Sequence, residues 1–95
     1  MAVHAILNNR CFRSLKFNFN SLKKFITLDV LTSATLKGVM KILEKNLNQN
    51  FSSKKIVFVS QKKELDQNDS FNKILNELNE RKDSNVLLEI DVLVE

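Results

Sequence analysis

Along this chain the spacing of apolar residues changes period several times, and each change marks an element. Leu15, Phe17 and Phe19 alternate with Lys16, Asn18 and Asn20, and Ile26, Leu28 and Val30 alternate with Thr27 and Asp29. Phe12 to Asn20 and Phe25 to Val30 therefore read as two strands with one apolar face each. The connection Asn20-Ser21-Leu22-Lys23 is short enough to make them an antiparallel hairpin. Leu36, Val39, Met40, Leu43 and Leu47 then fall at i, i+3, i+4, i+7 and i+11, the stripe of a helix that Thr32 or Ser33 can cap. Lys37, Lys41, Glu44 and Lys45 face elsewhere. The sole glycine, Gly38, lies inside this helix, where it costs up to about 1 kcal/mol relative to alanine. One glycine cannot cradle a nucleotide, so close packing is the expected reason for it.

After the Asn/Ser-rich stretch NQNFSSKK, Ile56 to Val59 is a wholly apolar third strand, and Lys63-Glu64-Leu65-Asp66 suggests a minor fourth. Phe51 is expected to cover the core from that loop. A second helix of about twelve residues begins near Asp69 or Ser70, carries Phe71, Ile74, Leu75 and Leu78 on one side, places Glu77 and Arg81 to pair on the other, and ends around Lys82 to Asn85. Val86 to Val94 alternates Leu88, Ile90, Val92 and Val94 with Glu89 and Asp91. The order β-β-α-β-(β)-α-β specifies an α+β class, with a mixed sheet burying one face under one main helix and the last strand inserted beside the first. That is the β-grasp plan.

Composition narrows the picture without changing it. The 95 residues contain no proline and one glycine, no linker is visible, and residues 1–95 read as a single domain. Residues 1–12, with a turn signal at Asn8-Asn9, form an extra edge strand or a flexible arm. Ordering the backbone costs roughly 1–2 kcal/mol per residue and each fully buried large apolar side chain returns about 1.5–3 kcal/mol, so most of them are needed inside. The single Cys11 and single His4 supply neither a disulfide nor a zinc-ligand set. This fits a reducing, intracellular, cytoplasmic setting. No apolar run approaches the roughly 18 residues of a membrane span. The stretch before Asp29 carries Arg10, Arg13, Lys16, Lys23 and Lys24 without an acid, as an organellar transit peptide would, but its alternation is that of a strand.

Three stretches resemble ubiquitin-like proteins: Lys24-Phe25-Ile26-Thr27-Leu28-Asp29-Val30; Thr35-Leu36 with Val39 and Leu43; and Lys55-Ile56-Val57-Phe58-Val59 followed by Lys63-Glu64-Leu65. Their spacing is similar to that of the superfamily across residues 14–94. The resemblance implies a β-grasp interaction domain with no cofactor and no metal. Conjugated modifiers of this superfamily end in Gly-Gly, whereas this chain ends Leu93-Val94-Glu95. Ubiquitin also carries an apolar patch on its outer sheet face; with Val57 and Val59 turned inward, that face here would show Phe58 and Ser60 beside Glu89 and Asp91, and ordinary ubiquitin receptors would not recognise it. The long second helix is similar to Phox/Bem-type relatives, which associate head to tail through a basic first strand and an acidic loop. That resemblance implies Lys16, Lys23 and Lys24 as the basic partner-binding residues and Glu64, Asp66 and Asp69 as the acidic ones, although Lys62 and Lys63 interrupt the acidic motif; Arg13 joins the expected contact residues on the basic side.

Charge separates the remaining function classes. Residues 1–55 hold ten Lys/Arg against two acids, a balance of +8, and residues 56–95 hold five against nine, a balance of −4. A polarised surface favours head-to-tail association or an acidic partner through on-rate and orientation. The competing class is a basic nucleic-acid-binding domain, or one that binds an acidic polymer such as a microtubule. All seven aromatic residues are Phe, most at core spacing, which leaves no Tyr or Trp stacking platform. Catalysis is disfavoured, because a nucleophile needs a base within hydrogen-bond reach and a third group to orient it. The expected function is that of a non-catalytic protein–protein interaction domain, a scaffold or adaptor.

Overall fold

In a computed structural model, which describes residues 12–80 and 86–94, five strands form one mixed sheet. They are β1 (Phe12–Phe19), β2 (Lys24–Leu31), β3 (Ile56–Ser60), β4 (Lys63–Leu65) and β5 (Leu88–Val94), in the order β2-β1-β5-β3-β4. Helices α1 (Leu36–Leu47) and α2 (Phe71–Glu77) complete the described elements. The hairpin β1–β2 closes through a single 3-10 turn, Asn20–Leu22, with Lys23 left-handed at φ 54°. The last strand lies parallel to the first, with Leu15 opposite Leu88, Phe17 opposite Ile90 and Phe19 opposite Val92. All six are buried, so the sheet's centre is sealed on its helix side by the two ends of the chain. The expected α+β β-grasp architecture is what forms. The suggested extra strand in residues 1–12 falls, apart from Phe12, outside the described residues.

The core explains the helical spacing. Leu36, Val39, Met40 and Leu43 of α1 and Phe71, Ile74 and Leu75 of α2 are buried against the sheet. Phe51 covers the open end of this layer as expected, stacked on Phe19 with ring centroids 6.2 Å apart, an arrangement worth about 0.5–1.5 kcal/mol beyond its burial.

Helix ends differ from expectation in two places. The cap of α1 is Thr35 rather than Thr32 or Ser33; its Oγ1 accepts the Gly38 N–H at 3.1 Å. Thr32 is instead buried, and its carbonyl accepts the Asn72 N–H at 2.8 Å, while Ala34 O accepts from Phe71 N and Gln67 O from Lys37 N. Each helix thus has first-turn donors, which have no partner of their own within a helix, satisfied by the loop that precedes the other helix. Ser70 caps α2 through Oγ, as the sequence suggested. That helix runs for seven residues instead of twelve. Asn79 adopts φ 57°, Glu80 N–H donates to Leu75 O at 2.8 Å and Asn79 N–H to Asn76 O at 3.2 Å, which is a Schellman stop built on an asparagine. Arg81, expected to pair with Glu77, lies outside the described residues.

Gly38 does not serve close packing. It is exposed on α1, and a Cβ there would meet only Thr35 Oγ1, at 3.4 Å. Its φ is negative, as in any helix, so alanine fits and removes unfolded-state freedom. Gly38→Ala should therefore raise stability by about 0.5–1 kcal/mol, a few degrees in Tm, measured by thermal denaturation; a lower Tm would mean that the Thr35 cap is disturbed.

Candidate functional site: the outer face of the sheet

Strand pairing decides which side chains share the solvent face. Ser14 lies opposite Asp29, Lys16 opposite Thr27 and Glu89, Asn18 opposite Phe25 and Asp91, Val57 opposite Leu93, and Val59 opposite Asp91 and Glu64. In the middle of this face Lys16 Nζ is 3.7 Å from Glu89 Oε1 and 4.5 Å from the centre of the Phe25 ring. The Asn18 amide donates to Glu89 Oε1 at 3.3 Å and to Asp91 Oδ1 at 3.2 Å, and the Ser14 hydroxyl donates to Asp29. The result is a network in which one cation and two amide protons partly offset a row of carboxylates.

Apolar surface flanks the network on both sides. On the β1–β2 side Phe12 and Phe25 are 57% and 63% exposed. On the β5–β3 side Val57 and Val59 are half-buried and Leu93 is exposed. This corrects the expectation for β3: Phe58 and Ser60 point into the core, and Val57 and Val59 point out. Phe58 meets Val92 and Leu65 on the buried side, and the Ser60 hydroxyl donates to Glu89 O at 2.8 Å. A strand apolar at every position carries no alternation to announce its face, so register with β5 sets it.

The sequence-inferred contact residues are dispersed. Arg13 is 1% exposed on the inner face of β1; its guanidinium donates to Val86 O, donates to Ser14 O at 3.4 Å, and lies 3.7 Å from Glu80 Oε2. It has no surface to offer a partner and instead ties β1 to the turn after α2 and the approach to β5. Lys16 lies on the outer face, already paired, while Lys23 and Lys24 stand exposed at the hairpin end. Glu64 is exposed on edge strand β4, three strand spacings from Lys16, about 14 Å. Asp66 accepts its own loop's Asn68 N–H at 2.9 Å, and Asp69 pairs with Lys73 at 3.3 Å. Glu80 is half-buried and accepts from Gln61 Nε2 at 3.0 Å in addition to its pairing with Arg13. Local spacing does not single out Val57, Val59 and Leu93 as contact residues, because apolar residues in strands ordinarily serve the core.

Among the described residues no group of three or more His, Cys, Asp or Glu is placed to hold a metal ion, and no helix is long and apolar enough to cross a membrane. His4 and Cys11 lie outside the described residues. No protein-family model matches the chain, and no curated protein matches it. It is similar to a solved structure described as "Molecular Mimicry of SUMO promotes DNA repair", with a TM-score of 0.66 and 14% identity over 87% of this chain and 91% of that one. The fold is therefore ubiquitin-like. Since 52 solved chains match it, the fold by itself does not specify a function. The short α2 removes the feature on which the likeness to Phox/Bem-type relatives rested.

Burial of Arg13 generates a stability prediction. Arg13→Ala removes packing, a carbonyl partner and the counter-ion of Glu80, and should cost about 3 kcal/mol. Glu80→Gln, at a site 30% exposed, keeps an acceptor but leaves the buried guanidinium without its counter-ion and should cost less, about 1–2 kcal/mol. Chemical denaturation midpoints measure both; equal losses would show that Arg13 acts only through Glu80.

Proposed function

We propose that this chain is a non-catalytic protein-interaction module of ubiquitin-like fold, an adaptor or scaffold part that meets its partner through the outer face of its sheet. The observation that carries this is the pairing of Val57 with Leu93, and Val59 beside them, as an apolar station on the β5–β3 side of the Lys16–Glu89–Asn18–Asp91 network. Interfaces place a few apolar anchors at the centre and leave polar groups to set orientation at the rim. Covering each valine or leucine contributes up to about 1.5–3 kcal/mol, less what is already buried. The network contributes little affinity, being solvent-exposed, but it fixes which way a partner lies.

Charge adds the kind of partner. Among the described residues, Asp29, Glu64, Glu89 and Asp91 against Lys16 leave the strands of this face with a balance of −3. A partner with an apolar anchor and a basic rim is complementary to it, and basic residues there gain on-rate as well as orientation. The similar solved structure is described as a mimic of SUMO; a mimic works by presenting another protein's surface, which is recognition rather than turnover. Head-to-tail self-association through Lys16 weighs less, because Lys16 already faces Glu89.

The test replaces the apolar station without disturbing strand propensity. Val57→Thr, Val59→Thr and Leu93→Thr together keep β-branched residues in the strands and remove apolar contact worth roughly 1.5–3 kcal/mol in total. Proteins captured on the native chain should be recovered at least about tenfold less on the triple variant, with thermal denaturation showing a folded domain. Equal recovery by the folded variant would place recognition elsewhere.

A further inference from the structure

On the opposite side of the molecule α1 carries lysines on three successive turns. Lys37, Lys41 and Lys45 are spaced i, i+4 and i+8, so they lie within an arc of about 80° and rise about 6 Å from one to the next. They border a furrow along α1 made of three adjoining depressions. Lys37, Ile56 and Gln67 line both the first and the middle one, and Lys41 and Glu44 line both the middle and the last. Lys54 stands in the middle depression and Lys55 in the first. Among the described residues the ion pairs are Arg13–Glu80, Lys16–Glu89 and Lys73–Asp69, and none involves these five lysines. From Lys45 to Lys54 the furrow holds four cations against Glu44, and Glu64 and Asp66 close its far end beyond Lys55.

Folding does not require this arrangement. Like charges at i, i+4 cost a helix about 0.2–0.5 kcal/mol per pair, and an anion laid along them would reverse the sign. We propose that the furrow binds the sugar–phosphate backbone of a nucleic-acid strand through Lys37, Lys41, Lys45 and Lys54, without reading its bases. Three observations favour this polymer over an acidic polypeptide. The lysine repeat of about 6 Å is close to two phosphate steps of one strand, about 6.8 Å along the axis. In the middle depression Met40 and Phe51 are at most 8% exposed and Ile56 is half-buried, which leaves little apolar surface for the anchor side chain that peptide recognition relies on. Asn48, Gln49 and Asn50 line the last depression and supply the amide donors that commonly reach phosphate and sugar. The exposed aromatics Phe12 and Phe25 lie on the other face of the sheet, so bases find no stacking platform here and binding is indifferent to sequence. The four lysines take no part in the sheet-face site, which adjoins the furrow only at Val57 and Glu64, beyond Lys55.

The experiment is fluorescence anisotropy of the full chain with labelled mixed-sequence oligonucleotides, single- and double-stranded, as salt is raised from about 25 to 200 mM. Four neutralised phosphates give a slope of log K against log salt of about −3 to −4. Lys37→Gln with Lys41→Gln and Lys45→Gln should weaken binding by at least about tenfold and make the slope shallower by about 2 to 3. Lys54→Gln, outside the helix, should do the same to a smaller degree, and a Val59/Leu93 threonine variant, whose residues lie outside the furrow, should bind as the native chain does. Three results would overturn the proposal: no binding at the lowest salt, binding indifferent to the folded lysine variants, or competition by polyglutamate of equal charge as effective as by oligonucleotide, which would make the partner an acidic polypeptide.

Discussion

Everything else in this domain depends on the parallel pairing of β1 with β5. It joins residues some seventy positions apart, Lys16 to Glu89 and Asn18 to Asp91 among them, and loop-closure entropy makes such a contact slow to find. Its stability comes from the inner side chains, Leu15, Phe17, Phe19, Leu88, Ile90 and Val92, which have no alternative apolar surroundings once the helices are in place. Once these strands are in register, the pleat leaves no choice about the outer side chains. The network on the solvent face is a consequence of the core, not an additional fastening.

Arg13 serves the same junction from inside. Burying a guanidinium is costly unless it is paired and hydrogen-bonded. The structure meets both needs with Glu80 and two backbone carbonyls. The Schellman stop at Asn79 matters here, because it turns the chain so that Glu80 faces β1 instead of continuing around a helix. A residue that a linear reading assigns to recognition therefore helps hold together the sheet whose outer face is the proposed contact surface. Among the described residues no buried side-chain polar atom is left without a partner, consistent with a junction that is satisfied and not strained.

Two faces of opposite charge follow from this layering. Folding does not keep the basic N-terminal half and acidic C-terminal half of the sequence apart in that form. Asp29 from the first half joins Glu64, Glu89 and Asp91 on the sheet face, while Lys37, Lys41, Lys45 and Lys54 gather on the helix face. A sheet covered on one side by one main helix converts polarity along the chain into polarity across the domain. Such a field would orient each of the two proposed partners on its own side of the domain.

Periodicity alone determined the elements and their order. Alternation at Leu15–Phe17–Phe19 and at Leu88–Ile90–Val92, and the helical stripe from Leu36 to Leu47, depend on neighbours two to four positions apart, so they were legible without coordinates. The Asn79 stop was also present in the sequence, but asparagine in a polar stretch is a weak signal beside glycine. Only the tertiary structure decided that Val57 and Val59 face solvent, that Arg13 is enclosed and that Lys54 lies across a furrow from Lys41. The reason is physical: a uniformly apolar strand, a lone arginine on a strand's inner side and a loop lysine take their positions from segments distant in the chain, and that information resides in register and packing rather than in local spacing.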